Sequence, residues 1–301
     1  MGVALGQNFP SKPVRIVTAA PGGSSDLMAR VLAQGLSASL GQQAIVENRT
    51  SGVVLGEIIS KAPADGYTLL VTGNSFWLLP LLQEAPYDPI RDTTALTLAV
   101  VTPNIVVVHP SLPVKSIKDL IALARSKPDA LNYASGITGA ITHLAAELFK
   151  NMANVRIVRI PYKGAGPAVI DLLGGQMQLM FATSSSVEAH TRTGRLRSLA
   201  VTSAAPSALL PGLPTVAASG LPGYEAVTMT GALAPARMSA ALVNRLNREM
   251  VQILNRPEVR SRLFDAGNEV VASSADEFLA AVKAEMTRMG KVIKDAGIRS
   301  E

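Results

Sequence analysis

The chain has no cysteine, few aromatics, a low density of charge and no long apolar run. Zero cysteines in 301 residues exclude disulfide scaffolds, thiolate nucleophiles, zinc ribbons, iron–sulfur clusters and lipid attachment through an N-terminal Cys. They leave the redox compartment open. One Trp, five Tyr and six Phe offer little for base stacking, and the basic residues are scattered rather than clustered. The net charge of +6 is therefore not read as a nucleic-acid surface; a basic surface facing small anions explains it as well. Every apolar stretch is interrupted well short of the ~20 residues of a membrane span, as Thr, Pro and Asn do in LTLAVVTPNIVVVHP. The opening MGVALGQNFPSKP lacks the cationic and apolar regions of an export signal. It reads as the start of a cytoplasmic chain or of an exported one supplied without its leader, with Met1-Gly2 equally a cloning remnant.

What is present is a folded chain. With 48% hydrophobic and 17% charged residues it is too apolar to be disordered, and its length suits about two domains. Strand-like and helix-like segments alternate from the start. Val14 to Ala20 is an apolar, β-branched run broken by Pro21-Gly22-Gly23, after which Leu27, Val31, Leu32 and Leu36 recur at helical spacing. The unit repeats as AIVEN with Gly52 to Lys61, YTLLVTG with Ser75 to Leu82, and IVVVH with Ser116 to Ser126. It returns as LNYAS with a helix through His143 to Lys150, VRIVRIPY with Pro167 to Leu173, and QMQLMFAT with Val187 to Thr193. Such alternation predicts an α/β fold around mixed, mostly parallel sheet. The last part differs: Ser239 to Leu254, Pro257 to Ala266 and Ala275 to Ala296 read as helices, with one short strand near Glu269 to Ala272.

Two extended apolar stretches bounded by Pro or Gly, Ala99 to Val108 and Ala226 to Pro235, read as crossings between domains. On that reading residues 1–101 and 229–301 form a discontinuous first lobe and 102–228 a second, with a hinge near 99–104 and 226–232. A continuous split near residue 150 is the alternative that periodicity alone leaves open.

Enzyme signatures fail in turn. Gly73-Asn74-Ser75-Phe76-Trp77 sits between strand and helix, where a nucleophile elbow belongs, but Trp fills the position that G-x-S-x-G reserves for a small residue. His109, His143 and His190 carry no neighbouring signature that would make one of them its base, and His143 lies among apolar helix residues as a structural histidine. Gly164-Ala165-Gly166-Pro167 lacks the third glycine of a dinucleotide loop, Gly290-Lys291 is followed by Val where a Walker loop needs Ser or Thr, and no spacing suggests a metal site. No cofactor, metal or catalytic residue is expected.

The remaining signal is a set of small-residue loops, each after a strand and before a helix: Pro21-Gly22-Gly23-Ser24-Ser25-Asp26, Gly73-Asn74-Ser75, Ser135-Gly136-Ile137-Thr138-Gly139-Ala140 and Lys163-Gly164-Ala165-Gly166-Pro167. Loops of this kind line the crevice at the carboxyl ends of parallel strands. Each presents backbone N–H groups at the positive end of a helix, so several converging loops make an anion site without an arginine, and a carboxylate is the natural guest. Taken singly, each loop is explained as ordinary capping and turn chemistry, Asp26 included.

These residues resemble the Bug family, the periplasmic solute-binding proteins of tripartite tricarboxylate transporter systems. The resemblance runs from about Pro10 to the C-terminus through FPSKPVRIV, PGGSSDLMAR, VENR, APADGYTLLV, PYDPIRD, HPSLPVKSIKDLIALA, LNYAS, THLAAELFK, IPYKGAGPAVIDLLGGQMQLMF, GRLRSLAVTS, LPGLPTVAASGLPGYE, LAPARMS and KVIKDAGI. It implies a two-lobed clamshell of the type II periplasmic-binding-protein class, a small carboxylate held between the lobes, and a periplasmic location. Carried over by position, the ligand wall comprises Gly22, Gly23, Ser24, Asp26, Asn74 and Ser75, then Ser135, Thr138, Gly139, Thr142, Gly164, Ala165, Ala182 and Thr183. The implied partners are the ligand and either the membrane permease of such a transporter or a periplasmic sensor domain; a monomer is expected, and a hydrolase acting on a small acid remains the competing class. A transcription-factor effector domain shares the design, but a first strand at Val14 leaves no room for its DNA-binding helices.

Three positions depart from the family pattern. A glycine-rich stretch is replaced by Thr50-Ser51-Gly52-Val53-Val54, a common Gly by Ile137, and a common Asp by Ala182. These changes predict a ligand whose distal part is apolar, an aromatic or aliphatic acid, or else mark a diverged, weakly binding member.

Overall fold

In the computed structural model, residues 9–49, 51–136 and 138–299 are described. They group into two compact units, one drawn from Met1–Val101, Met229–Asp265 and Glu269–Arg288, the other from Thr102–Thr228, Ala266–Asn268 and Met289–Glu301. The sequence alone places all of 229–301 in the first lobe, whereas Ala266–Asn268 and Met289–Glu301 group with the second unit. Local bonds account for the difference: Thr102 Oγ1 donates to Asn268 Oδ1 at 2.8 Å, and Asn151 Nδ2 donates to Asp295 Oδ2 at 3.3 Å.

The first unit is built on strands β1 (Val14–Thr18), β2 (Ala44–Asn48), β3 (Thr68–Gly73), β4 (Thr93–Thr102), β10 (Thr228–Pro235) and β11 (Glu269–Val270), in the order β11-β4-β10-β3-β1-β2. β1 runs parallel to both β2 and β3, whereas β10 runs antiparallel to β3. Strands such as β3, whose Leu69, Leu70 and Val71 are wholly buried, read as continuous apolar runs because helices cover both faces. Those helices are α1 (Ser24–Leu40), α2 (Gly52–Lys61), α3 (Asn74–Leu82), α8 (Ala240–Leu254), α9 (Pro257–Asp265) and most of α10 (Ala275–Asp295). α1 and α8 supply Leu32, Leu36, Leu246 and Met250 to one cluster with Ile16, Leu69 and Val71.

The second unit holds β5 (Asn104–Val108), β6 (Asn132–Ser135), β7 (Val158–Pro161), β8 (Leu179–Thr183) and β9 (Arg197–Val201), in the order β7-β6-β8-β5-β9. β6 is parallel to β7 and β8, and β5 is antiparallel to β8 and β9. Helices α4 (Ile117–Ser126), α5 (Ile141–Ala153), α6 (Ala165–Leu173) and α7 (Ser184–Arg192) connect them. The chain thus has a mixed α/β fold with one sheet in each unit. Among the described residues no helix is long and apolar enough to cross a membrane, and no cluster of His, Asp and Glu could hold a metal ion.

Candidate functional site

The two sheets share one rule about how their helices begin. α1, α2 and α3 follow the parallel strands β1, β2 and β3, and α5, α6 and α7 follow β6, β7 and β8. Their N-cap residues are Gly23, Ser51, Gly73, Ala140, Gly164 and Thr183, and none supplies a side-chain cap. α4 and α8 follow the antiparallel strands β5 and β10, so they start at the opposite edge of their sheets. Both are capped: Ser116 accepts from the amide of Asp119, and Ser239 from that of Leu242. First-turn amides have no partner within their own helix, and among these eight helices an N-cap side chain satisfies one only in α4 and α8. Each sheet therefore gathers helix N-termini without side-chain caps at the carboxyl ends of its parallel strands.

In the first unit, Gly22 adopts φ +88, which only glycine reaches without strain, and turns β1 into α1. Its amide donates to Asp26 Oδ2 at 3.0 Å. Asn48 Nδ2 donates to the other carboxylate oxygen at 2.8 Å, and Arg30 pairs with Asp26 from the next turn. The Asn48 bond first, then those from Arg30 and Gly22, hold the Asp26 carboxyl down at about 2. Asp26 is buried and its oxygens are engaged, so it shapes the loop. Gly22 and Gly23 are exposed, and a side chain at Gly23 would meet nothing within 4 Å. Ser24 Oγ lies 3.3 Å from Thr230 Oγ1 on β10.

At the start of α3, just after β3, Asn74 is buried and its side chain faces inward. Its Oδ1 accepts from the amide of Met229 at 2.7 Å, and its Nδ2 donates to Glu285 of α10, which also accepts from Trp77 Nε1. Asn74 thus anchors the start of α3 to β10, while Ser75 beside it is exposed.

In the second unit, Ser135 ends β6 almost fully buried. Arg159, its neighbour on β7, donates from Nε to Ser135 Oγ at 2.7 Å, from Nη2 to Gly136 O at 3.1 Å and from Nη1 to Thr138 Oγ1 at 3.2 Å. Gly139, at φ +80, is held from the other side, its amide donating to His143 Nδ1 at 3.1 Å. Burial and then the charge of Arg159 push the His143 imidazole down to about 4, so it is neutral at pH 7 and can accept that bond. Thr142 is half-buried in the first turn of α5, Gly164 and Ala165 open α6 with free space around the glycine, and Thr183 is half-buried at the start of α7.

Ala182 requires a correction. It is wholly buried in the apolar cluster with Ile105, Ala134, Ala168 and Val187, so its methyl packs in the core and lines no ligand wall. The pleat of β8 turns this position toward α6 and α7. Thr50 and Ile137, counted among the departures, lie outside the described residues.

These loops belong to a chain with clear relatives. A family model described as TctC, tripartite tricarboxylate transporter family receptor, matches residues 28–298. The chain belongs to this receptor family. BugT of Bordetella pertussis is 40% identical over 215 residues, covering 69% of this chain and 66% of BugT, so the matched stretch spans just under two thirds of that relative. Among solved structures, R. palustris Rpa4515 with adipate superposes with TM-score 0.78 at 34% identity, covering 97% of this chain and 99% of that one. MatC (Rpa3494) from Rhodopseudomonas palustris with bound malate gives TM-score 0.75 at 26% identity, covering 95% and 100%. The fold is accordingly that of the TctC and Bug periplasmic binding proteins, a type II α/β architecture, and the family is one of solute-binding receptors.

Sequence reasoning about this TctC receptor missed Arg159, Thr230 and Glu285. The first is brought to its loop by the parallel register that sets Tyr133 against Arg159, and the second by the antiparallel register of Thr230 with Gly73. No local motif signals either pairing.

Proposed function

We propose that the chain is an extracytoplasmic solute-binding protein that captures a small carboxylate and delivers it to the permease of a tripartite tricarboxylate transporter. The observation that carries this reading is the contrast in helix starts: side-chain caps at the far edges, none at the carboxyl edges of the parallel strands. Amides left in this way, at the positive ends of helices, suit a carboxylate. The proposed wall is Gly22, Gly23, Ser24 and Ser75 from the first unit, and Ser135, Thr138, Gly139, Thr142, Gly164, Ala165 and Thr183 from the second. Asp26 and Asn74 position it.

The ligand we propose has an apolar body. Val53 and Val54 stand in the first turn of α2, Val54 exposed, where they offer methyl groups beside the amides. The adipate of the 34% identical Rpa4515, four methylenes between two carboxylates, is a ligand of this type. Native mass spectrometry of the purified protein, followed by a thermal-shift panel of aliphatic, aromatic, hydroxy and amino acids, tests the reading. Stabilisation by aliphatic or aromatic acids is expected; a response to citrate or aspartate alone contradicts the apolar body, and no response to any acid contradicts the function.

A further inference from the structure

We infer that Arg159 is a specificity-determining residue that makes the second unit's wall favour ligands carrying a second negative charge. The inference rests on the carboxylate-binding function proposed above.

Three observations lead to it. First, the guanidinium is fixed. Four of its bonds end on the β6–α5 loop, on Ser135 Oγ, Gly136 O and, from both Nη1 and Nη2, Thr138 Oγ1. A planar fork held at that many points has little orientational freedom left to lose when an anion arrives. Second, its charge is uncompensated: among the described residues Arg159 forms no ion pair with a carboxylate. Glu147, which acts with Arg159 on His143 and Tyr133, is already taken. Lys150 Nζ lies 2.8 Å from each of its oxygens, and the Tyr133 hydroxyl donates to Oε1 at 2.5 Å. A half-buried cation without a counter-ion is an unusual residue for a structural role alone, because structure normally pairs such a charge. Third, it touches the wall itself, since Ser135 and Thr138 are two of the side chains assigned to the ligand.

Helix N-termini of partial charge hold one carboxylate of any acid. A full positive charge hydrogen-bonded into the same loop adds attraction that grows with the ligand's total charge and has no counterpart for a monoacid's apolar tail. Arg159 also orients the loop, so a test must separate charge from shape.

Affinity is measured for matched pairs that differ by one carboxylate, adipate with hexanoate and terephthalate with benzoate, on the native chain and on Arg159→Lys and Arg159→Met. Native protein is expected to prefer the diacid of the pair it binds by about tenfold or more. Arg159→Met should lower that preference to within about threefold, and Arg159→Lys should retain most of it although both variants lose the fork. Melting temperature without ligand checks that the variants are folded. Equal affinity for mono- and diacids in native protein, or equal losses for both members of a pair in Arg159→Met, overturns the inference while leaving carboxylate capture standing. Binding of none of the acids overturns both.

Discussion

The amide of Gly139 donates to Nδ1 of His143 at 3.1 Å, so the turn from β6 into α5 is closed by a buried, neutral imidazole. Protonation removes the lone pair that accepts this bond. The imidazole sits at about 4 in the fold against 6.5 when unfolded, so between these values the unfolded chain binds more protons and stability falls as pH drops. The contribution is intact above pH 6.5 and is lost by about pH 4, amounting to roughly 3 kcal/mol. His143→Asn keeps an acceptor near the Nδ1 position but does not titrate. Urea unfolding at pH 7 and 4.5 should show the variant less stable than native protein at pH 7, with the gap narrowing markedly at pH 4.5; an unchanged gap refutes the assignment.

Asp26 behaves with the opposite sign. Its carboxyl lies at about 2 in the fold against 3.8, so it stabilises above pH 3.8 and the benefit disappears as pH falls toward 2. Asp26→Asn should cost about 1–3 kcal/mol at pH 7, because Gly22, Asn48 and Arg30 lose a charged acceptor. Ligand affinity should fall with it as the β1–α1 turn loosens. Unfolding curves that overlay those of native protein at pH 7 would show that the cluster adds nothing.

Gly23 and Gly164 separate site from scaffold. Gly23 lies at φ −88 and Gly164 in fully extended backbone at φ 171, and neither has an atom within 4 Å of where a side chain would begin. Gly23→Val and Gly164→Val should therefore shift the melting temperature by no more than about 2 °C. Both place a branched side chain over helix N-termini assigned to the ligand, and affinity for the best acid should fall at least about tenfold. Retained affinity in both variants would remove those termini from the site.

Glu285 is open to test through the chain's single tryptophan. It accepts from Trp77 Nε1 and Asn74 Nδ2, and Asn74 in turn holds the amide of Met229. Glu285→Ala leaves buried donors without that acceptor and should cost about 2–4 kcal/mol with a shift in Trp77 emission. Glu285→Gln, which keeps one acceptor, should recover part of both. Equal losses in the two variants would mean that charge, rather than acceptor capacity, is what the site requires.

Much of this architecture was legible because parallel strands covered on both faces read as unbroken apolar runs, and each was followed by small residues and then helical spacing, as Val14 to Leu36 illustrates. AIVEN and Gly52–Lys61 match β2 and α2. The stretch Ala99 to Val108, read as one extended segment, is two strands in different sheets, with Pro103 between β4 and β5. Pro103 lacks the donor that would carry a ladder through that point. The loops were visible as composition, but the direction of individual side chains was not. Ala182 was placed on the wall by its position in the family pattern, and on a strand covered on both faces the sequence alternation could not show that it turns into the core. Arg159 was overlooked because its role depends on a pairing with β6 that spans 26 residues from Tyr133.

The absent caps also bear on any effort to harden this protein. Ala140, at the N-cap of α5, is among the poorest choices for that position, and an aspartate there would be expected to raise thermal resistance by roughly 1 kcal/mol. It would do so by installing a permanent resident anion at one of the helix starts proposed for the ligand. On the proposed function, sturdiness and appetite draw on the same few amides, and selection for heat tolerance alone would drift toward molecules that no longer hold cargo.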